Sequence, residues 1–238
     1  MSYNIEIIGT GSSGNAILID DCLLIDCGLA MKKIWPTIEE KVEYLFITHR
    51  HGDHLNLAVM KKLYKLAPWR LRNNVFVNQD TLNKILAEKA LEELALDYNY
   101  DHLIKPEQTY ELDCQNGEHY TIETFELMHD VENQGFVITN SKGETLVFAT
   151  DTNSLEKVPK AKYDYIVVEG NYDEDKLIES MTSAIFEERF RAFRNMRHLS
   201  VQQFEDFVKS HSYDHSQIYQ LHESGTFGIS SPLGLNNQ

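Results

Sequence analysis

Apolar positions along the chain fall in short runs, separated by turn residues. "YNIEIIG" is closed by the turn "TGSSGN", and "AILID" and "LLIDCG" follow, parted by Asp20 and Asp21. Runs rich in apolar and β-branched residues, bounded by Gly, Asn and Asp, predict strands. "YLFIT" (Tyr44–Thr48) is almost wholly apolar, as a buried strand would be. From Leu55 to Leu66 the pattern becomes that of a helix, with an apolar face and lysines opposite. "NVFVN" predicts a strand, and Thr81–Leu96, rich in Ala, Leu, Glu and Lys, a second helix. The middle of the chain returns to strands with "TYEL", "YTIETFEL", "GFVITN" and "TLVFAT", the last two joined by a hairpin turn at Ser141–Glu144. "YDYIVVEG" reads as another buried strand, Asp173–Ser210 as mostly helical, and "SQIYQLH" as a closing strand. This order predicts a layered α/β protein, two sheets inside and helices outside, with residues 1–238 as one domain.

Composition narrows the picture. No apolar run approaches the ~20 residues that a membrane helix needs. The start, "MSYNIEIIGT", lacks the basic and apolar blocks of a signal peptide, so a cytoplasmic protein is expected. Cys22, Cys27 and Cys114 are odd in number and sparse, so a disulfide framework is not expected. Cys27, beside Asp26, reads as a small buried residue rather than a nucleophile. The net charge of −15 argues against a broad nucleic-acid-binding surface but leaves room for a local positive site.

The chemistry concentrates in "HRHGDH", where His49, His51, Asp53 and His54 crowd into six positions just after a buried strand. Strand ends and helix starts are frequent site positions in α/β folds. Neutral imidazoles with a carboxylate suit zinc or manganese. The short spacing lets His49 and His51 grip one ion, and Asp53 and His54, further round the turn at Gly52, a second. Two cations need more ligands. His129, Asp151 and His222 each follow a strand-like run and are the candidates; Asp26, at the end of "LLID", is either a support for a ligand imidazole or a turn cap.

"THRHGDH", with "LIDCG", "MHD", "ATDTN" and "LHES" downstream and upstream of it, resembles the metallo-β-lactamase superfamily over about Tyr3 to His222. "TGSSGN", "HDVENQGFVI", "VEGNYD" and "RHLS" resemble more closely its WalJ (YycJ)-type branch, associated with 5′-to-3′ exonuclease activity. The resemblance implies a four-layer αββα sandwich and two divalent ions, zinc or manganese, with iron a further option. His49, His51 and His129 would hold the first ion, Asp53, His54 and His222 the second, and Asp151 would bridge them. Asp53, Asp151 and His198 are then the catalytic residues, and a metal-bridging hydroxide is the nucleophile.

Such a centre keeps a net positive charge that can receive an anion despite the acidic chain. Arg189, Arg191, Arg194 and Arg197 lie just ahead of His198, either as a basic rim, Arg194 and Arg197 foremost, or as a solvated helix face. His198 reads as a phosphate contact or proton donor, or else as a structural histidine. Ser12, Ser13 and Asn15 offer hydroxyls, an amide and backbone N–H groups to a phosphate, or simply make a turn. Lys61, Lys62, Lys65, Arg70 and Arg72, with Trp69 among them, form a second basic patch. The expected function is a metal-dependent phosphodiesterase acting on DNA. A small-molecule hydrolase for a cyclic phosphodiester, thioester or lactone is the alternative, and a metal-stabilised binding module a third reading.

Overall fold

The computed structural model describes residues 2–66, 74–87 and 102–222. One sheet runs in the order β1 (Ile5–Gly9), β2 (Ala16–Ile19), β3 (Leu23–Ile25), β4 (Tyr44–Phe46), β5 (Val75–Phe76). The other runs β11 (Ser212–Leu221), β10 (Tyr163–Glu169), β9 (Thr145–Ala149), β8 (Asn133–Asn140), β7 (His119–Leu127), β6 (Thr109–Asp113). Both sheets are mixed: β3, β4 and β5 are parallel, as are β9, β10 and β11, and the remaining pairs are antiparallel.

Side chains alternate across a strand, so one strand feeds two layers. Ile17 and Ile19 point between the sheets, where they meet Phe46, Phe76, Tyr120, Phe136 and Phe148. Leu18 and Leu24 point the other way, into a core shared with Ile34 and Ile38 of α1 (Met31–Ile38), Val59 and Leu63 of α2 (Leu57–Leu66), and Leu82 and Ile85 of α3 (Gln79–Leu86). On the far side Val147, Ile166 and Val168 pack against Phe204 and Phe207 of α6 (Val201–His211). Helices, sheet, sheet and helices therefore stack in four layers. Each large side chain buried between them contributes about 1.5–3 kcal/mol. Phe46 and Phe76 stack with ring centroids 4.2 Å apart, and Phe46 meets Phe136 edge-on across the sheets at 5.4 Å.

Several elements depart from the hydrophobic pattern. Met31–Ile38 is a helix where the pattern gives no element, because Pro36 lies inside it. The stretch 173–210 is broken into α4 (Glu174–Thr182), α5 (Phe186–Asn195) and the start of α6. The breaks coincide with caps: Asp173 accepts from the Lys176 N–H, and Ser200 forms a reciprocal capping box with Gln203. Asn56 accepts from the Ala58 and Val59 N–H groups at the start of α2, and Asn78 caps α3. Beyond Ala87 the second expected helix lies outside the described residues, as do Trp69, Arg70 and Arg72 of the basic patch. Lys62 of that patch sits over the Trp35 ring, 3.8 Å from its centroid.

A single disulfide forms all the same. Cys22 and Cys114 form a disulfide, joining the turn after β2 to the end of β6 across a sequence separation of 92 residues. Counting cysteines misses the pair because only the stacking of the two sheets brings those turns together. Cys27 is buried, and burial pushes its thiol up to about 12.

Candidate metal centre

Five residues of the candidate site follow strands on one rim of the two sheets. Asp26 follows β3 and His49 follows β4. His129 follows β7, Asp151 follows β9, and His222 follows β11. Three of these, Asp26, Asp151 and His222, hold the left-handed backbone, with φ of 62°, 52° and 63°. Such a conformation costs about 1–2 kcal/mol in a residue with a Cβ and gathers at functional sites.

His49, His51 and His129 converge. His49 Nε2 lies 3.1 Å from His51 Nδ1, which lies 3.3 Å from His129 Nε2. Thr48 Oγ1, 3.0 Å from His49 Nδ1, fixes that ring with its other nitrogen inward. Burial, with His54 beside it, holds His49 well below the usual histidine range, and burial lowers His129 likewise. Neutral rings keep their lone pairs. Three lone pairs aimed at one point cannot all be satisfied by a shared proton, whereas one divalent cation satisfies them together.

Asp151, Glu169, His198 and His222 form the second group. Asp151 Oδ1 lies 3.1 Å from His198 Nδ1 and 3.5 Å from His222 Nδ1. Glu169 Oε2 lies 3.0 Å from His198 Nδ1 and 3.1 Å from His222 Nδ1, while its Oε1 accepts from the Thr152 N–H at 2.6 Å. Burial opposes charge here, yet the surrounding histidines outweigh it and hold Asp151 well below the usual carboxylate range. Burial likewise opposes charge on His198, yet Asp151 and Glu169 push its pKa up to about 10. Asp151 also joins the groups: its Oδ2 lies 3.9 Å from His49 Nε2 and contacts His54 Nε2. That oxygen is buried and has no hydrogen-bond partner among the described residues. An orphaned carboxylate oxygen beside inward-facing imidazoles is what a bound cation would satisfy, so the donor set fits divalent metal.

His54 is held from behind. Asp26 Oδ2 lies 2.6 Å from its Nδ1, and Asp26 is itself fixed by the Thr48 N–H at 2.8 Å. The loops carrying these residues pack backbone on backbone. A Cβ on Gly28 would fall 1.7 Å from the Asp53 carbonyl oxygen, and one on Gly14, at φ +124°, would fall 2.7 Å from the Gly28 carbonyl oxygen.

Three expected residues sit otherwise. Asn15 does not reach the cleft: it is 1% exposed. Its Oδ1 accepts from the Gly11 N–H, and its Nδ2 faces the Asp53 carbonyl and His54 Nε2. It shapes the "TGSSGN" turn instead of meeting a substrate. Asp53 lines the cleft, but its carboxylate is not among the converging ligand atoms. Arg197, just beyond the end of α5, pairs with Asp130 at 2.9 Å instead of standing free beside Arg194. Glu169 was missed. Its signal was a lone carboxylate ending the apolar run "YIVVE".

The site opens into a cleft of about 600 Å³. Ser12, Ser13, Asp53, His198, His222, Arg191, Arg194 and Arg197 are among the residues that line it. His198 is delivered by the capped turn between α5 and α6: its N–H bonds the Asn195 carbonyl, Leu199 is buried, and Ser200 starts the next helix. Among the described residues no helix is long and apolar enough to cross a membrane.

Comparison with known proteins agrees with this architecture. No curated protein matches the chain in sequence. The metallo-beta-lactamase fold protein YhfI from Bacillus subtilis superposes with a TM-score of 0.67 at 18% identity, covering 95% of this chain and 88% of YhfI. The short form of human tRNase Z superposes with a TM-score of 0.62 at 15% identity, covering 93% of each chain. At these identities the likeness is one of fold. The family match is direct: the beta-lactamase superfamily domain matches residues 22–211. The chain therefore belongs to the beta-lactamase superfamily and carries its metallo-β-lactamase hydrolase fold.

Proposed function

We propose that the chain is a dinuclear metal-dependent phosphodiesterase that degrades DNA from a 5′ end. The observation that carries this reading is His198: a half-buried imidazole, hydrogen-bonded to Asp151 and Glu169, facing the same cleft as the arginines of α5. In this reading His49, His51 and His129 would hold one cation, and His54, His222 and Asp151 a second; Asp53, expected as a further ligand, lines the cleft with its carboxylate outside the converging set. Zinc or manganese suits these nitrogen and oxygen donors, as iron does. Divalent cations bound there supply an acidified water and polarise a phosphoryl oxygen.

The chain's own groups do the rest. Arg194 and Arg191 draw a phosphate into the cleft, and the Ser12 and Ser13 hydroxyls orient it. His198 hands a proton to the leaving oxygen, and Glu169 keeps its ring aimed there. Human tRNase Z, which shares the fold, is named as an enzyme acting on a nucleic acid, in keeping with this reading. Incubation of the purified protein with Mn²⁺ and 5′-phosphorylated duplex DNA should release nucleotides from the 5′ end. No release with Mn²⁺, Zn²⁺ or Fe²⁺ overturns the reading.

The net charge of −15 favours a second reading, a hydrolase for a small thioester, lactone or cyclic phosphodiester. Turnover of a thioester and a lactone, with none of bis(p-nitrophenyl) phosphate, would select it.

A further inference from the structure

We propose that α5 is a docking arm for a single nucleic-acid strand, which leaves the metal cleft past Arg194 and Arg191 and stacks its bases on Phe190, Phe193 and Phe186. The proposal rests on the phosphodiesterase reading and adds to it where the polymer lies.

Phe186, Phe190 and Phe193 are 65%, 53% and 64% exposed. At spacings of four and three they share one helix face and span about 10 Å along it, room for two or three bases. A soluble chain seldom leaves large rings in water without a use for them. The face is also fixed outward. Ala192, on the far side of the helix, is fully buried in a small core with Tyr172 and Leu177, which anchors α5 to α4 and the body. Phe186 and Phe190 already stack on each other, with centroids 6.2 Å apart and planes 18° from parallel, so the platform is preformed.

Arg191 and Arg194 occupy the next strip of the same helix and line the cleft itself. The helix thus sets arginines that line the cleft beside exposed rings, with Glu187 in its first turn the acidic neighbour of that strip. Rings for bases beside guanidinium groups for phosphates is the combination that single strands need. A purely apolar contact between two copies would gain nothing from arginines that turn into a catalytic cleft.

Charge on the opposite flank selects this side. A second hollow of about 560 Å³ shares His129 and Asp130 with the cleft and is lined by Asp80, Glu126, Glu132, Glu156 and Lys157, with Lys157 paired to Glu126 and Asp80 paired to Arg50. That hollow stays net acidic even with Lys157, so the α5 side is the more favourable one for a polyanion. The strand therefore lies to one side of the metals and does not pass straight through the site, which suits action at an end.

The test uses the full-length, metal-loaded protein and a fluorescent 12-nucleotide phosphorothioate strand that resists turnover, read by fluorescence anisotropy. Phe190→Ala and Phe193→Ala should each weaken binding about tenfold, as loss of one base stack does. Phe190→Trp should hold affinity within about twofold, because an indole stacks, whereas Phe190→Leu should behave as Ala does. Arg194→Gln should reduce the slope of log affinity against log salt by about 0.7, one phosphate of a single strand. Equal binding by Phe190→Leu and Phe190→Trp overturns the proposal, as does a wild-type protein that binds no strand. It is also overturned if the phenylalanine variants leave affinity unchanged but convert a dimer to a monomer by light scattering, since the face then serves a second copy. Failure of the function reading looks different: the wild-type protein binds the strand in a ring-dependent way but degrades no DNA with any divalent metal.

Discussion

His49, His51 and His129 bring three imidazoles to one point, whereas Asp151 and Glu169 meet His198 and His222 as carboxylates against imidazoles only a few ångströms away. In the first group burial lowers His49 and His129; in the second, Asp151 and Glu169 outweigh burial and push His198 up to about 10. One half is suited to hold a cation by lone pairs. The other is suited to bind charge and to carry protons. Asp151 touches both halves, and its buried Oδ2 lacks a hydrogen-bond partner among the described residues. One rim of the sandwich thus carries a nitrogen-rich cluster and a carboxylate-rich cluster side by side.

The largest effect should come from breaking the link between the halves. Asp151→Ala removes the shared carboxylate, so metal content by mass spectrometry should fall and kcat/KM for bis(p-nitrophenyl) phosphate should drop about a thousandfold or more. If metal content and turnover both persist, the halves are independent.

His198→Ala should separate them instead. It leaves the imidazole triad intact, so metal content stays near that of the parent, while kcat on DNA falls about a hundredfold or more. Because a nitrophenolate leaves without a proton, turnover of bis(p-nitrophenyl) phosphate should fall much less than turnover of DNA. Equal losses on both substrates would place His198 in binding rather than in proton transfer.

Asp26→Asn should act more weakly and on metal alone. It loosens His54 directly and reaches His49 only through Thr48, so a chelator-competition titration should show metal affinity lowered by about tenfold, chiefly at the site His54 serves. The smallest effect belongs to the support of His198. Ser200→Ala removes the α6 cap and should cost about 1 kcal/mol in urea denaturation, with turnover reduced less than in His198→Ala.

Much of this was written locally. The strands from Ile5 to Phe46 and from Thr109 to Leu221 follow runs that alternate or are wholly apolar, because each face of each sheet has one fixed environment. The hairpin at Ser141–Glu144 joins β8 and β9 where turn residues interrupt the pattern. His49 and His51 betray themselves by spacing alone, since a cation held by near neighbours needs only a loop.

The rest depended on distance in three dimensions. That Asn15 turns inward, that Asp53 stands apart from the converging atoms, and that Glu169 sits between His198 and His222 are matters of side-chain direction at loop and strand ends, which residue type does not encode. The Cys22–Cys114 bond and the Arg197–Asp130 pair join residues that only the stacking of layers brings together. The sequence by itself determined which positions face a core and which residues can hold a cation, because period and chemistry are properties of short segments. The tertiary structure alone decided which of those residues share one point in space, because that is fixed by packing between segments far apart in the chain.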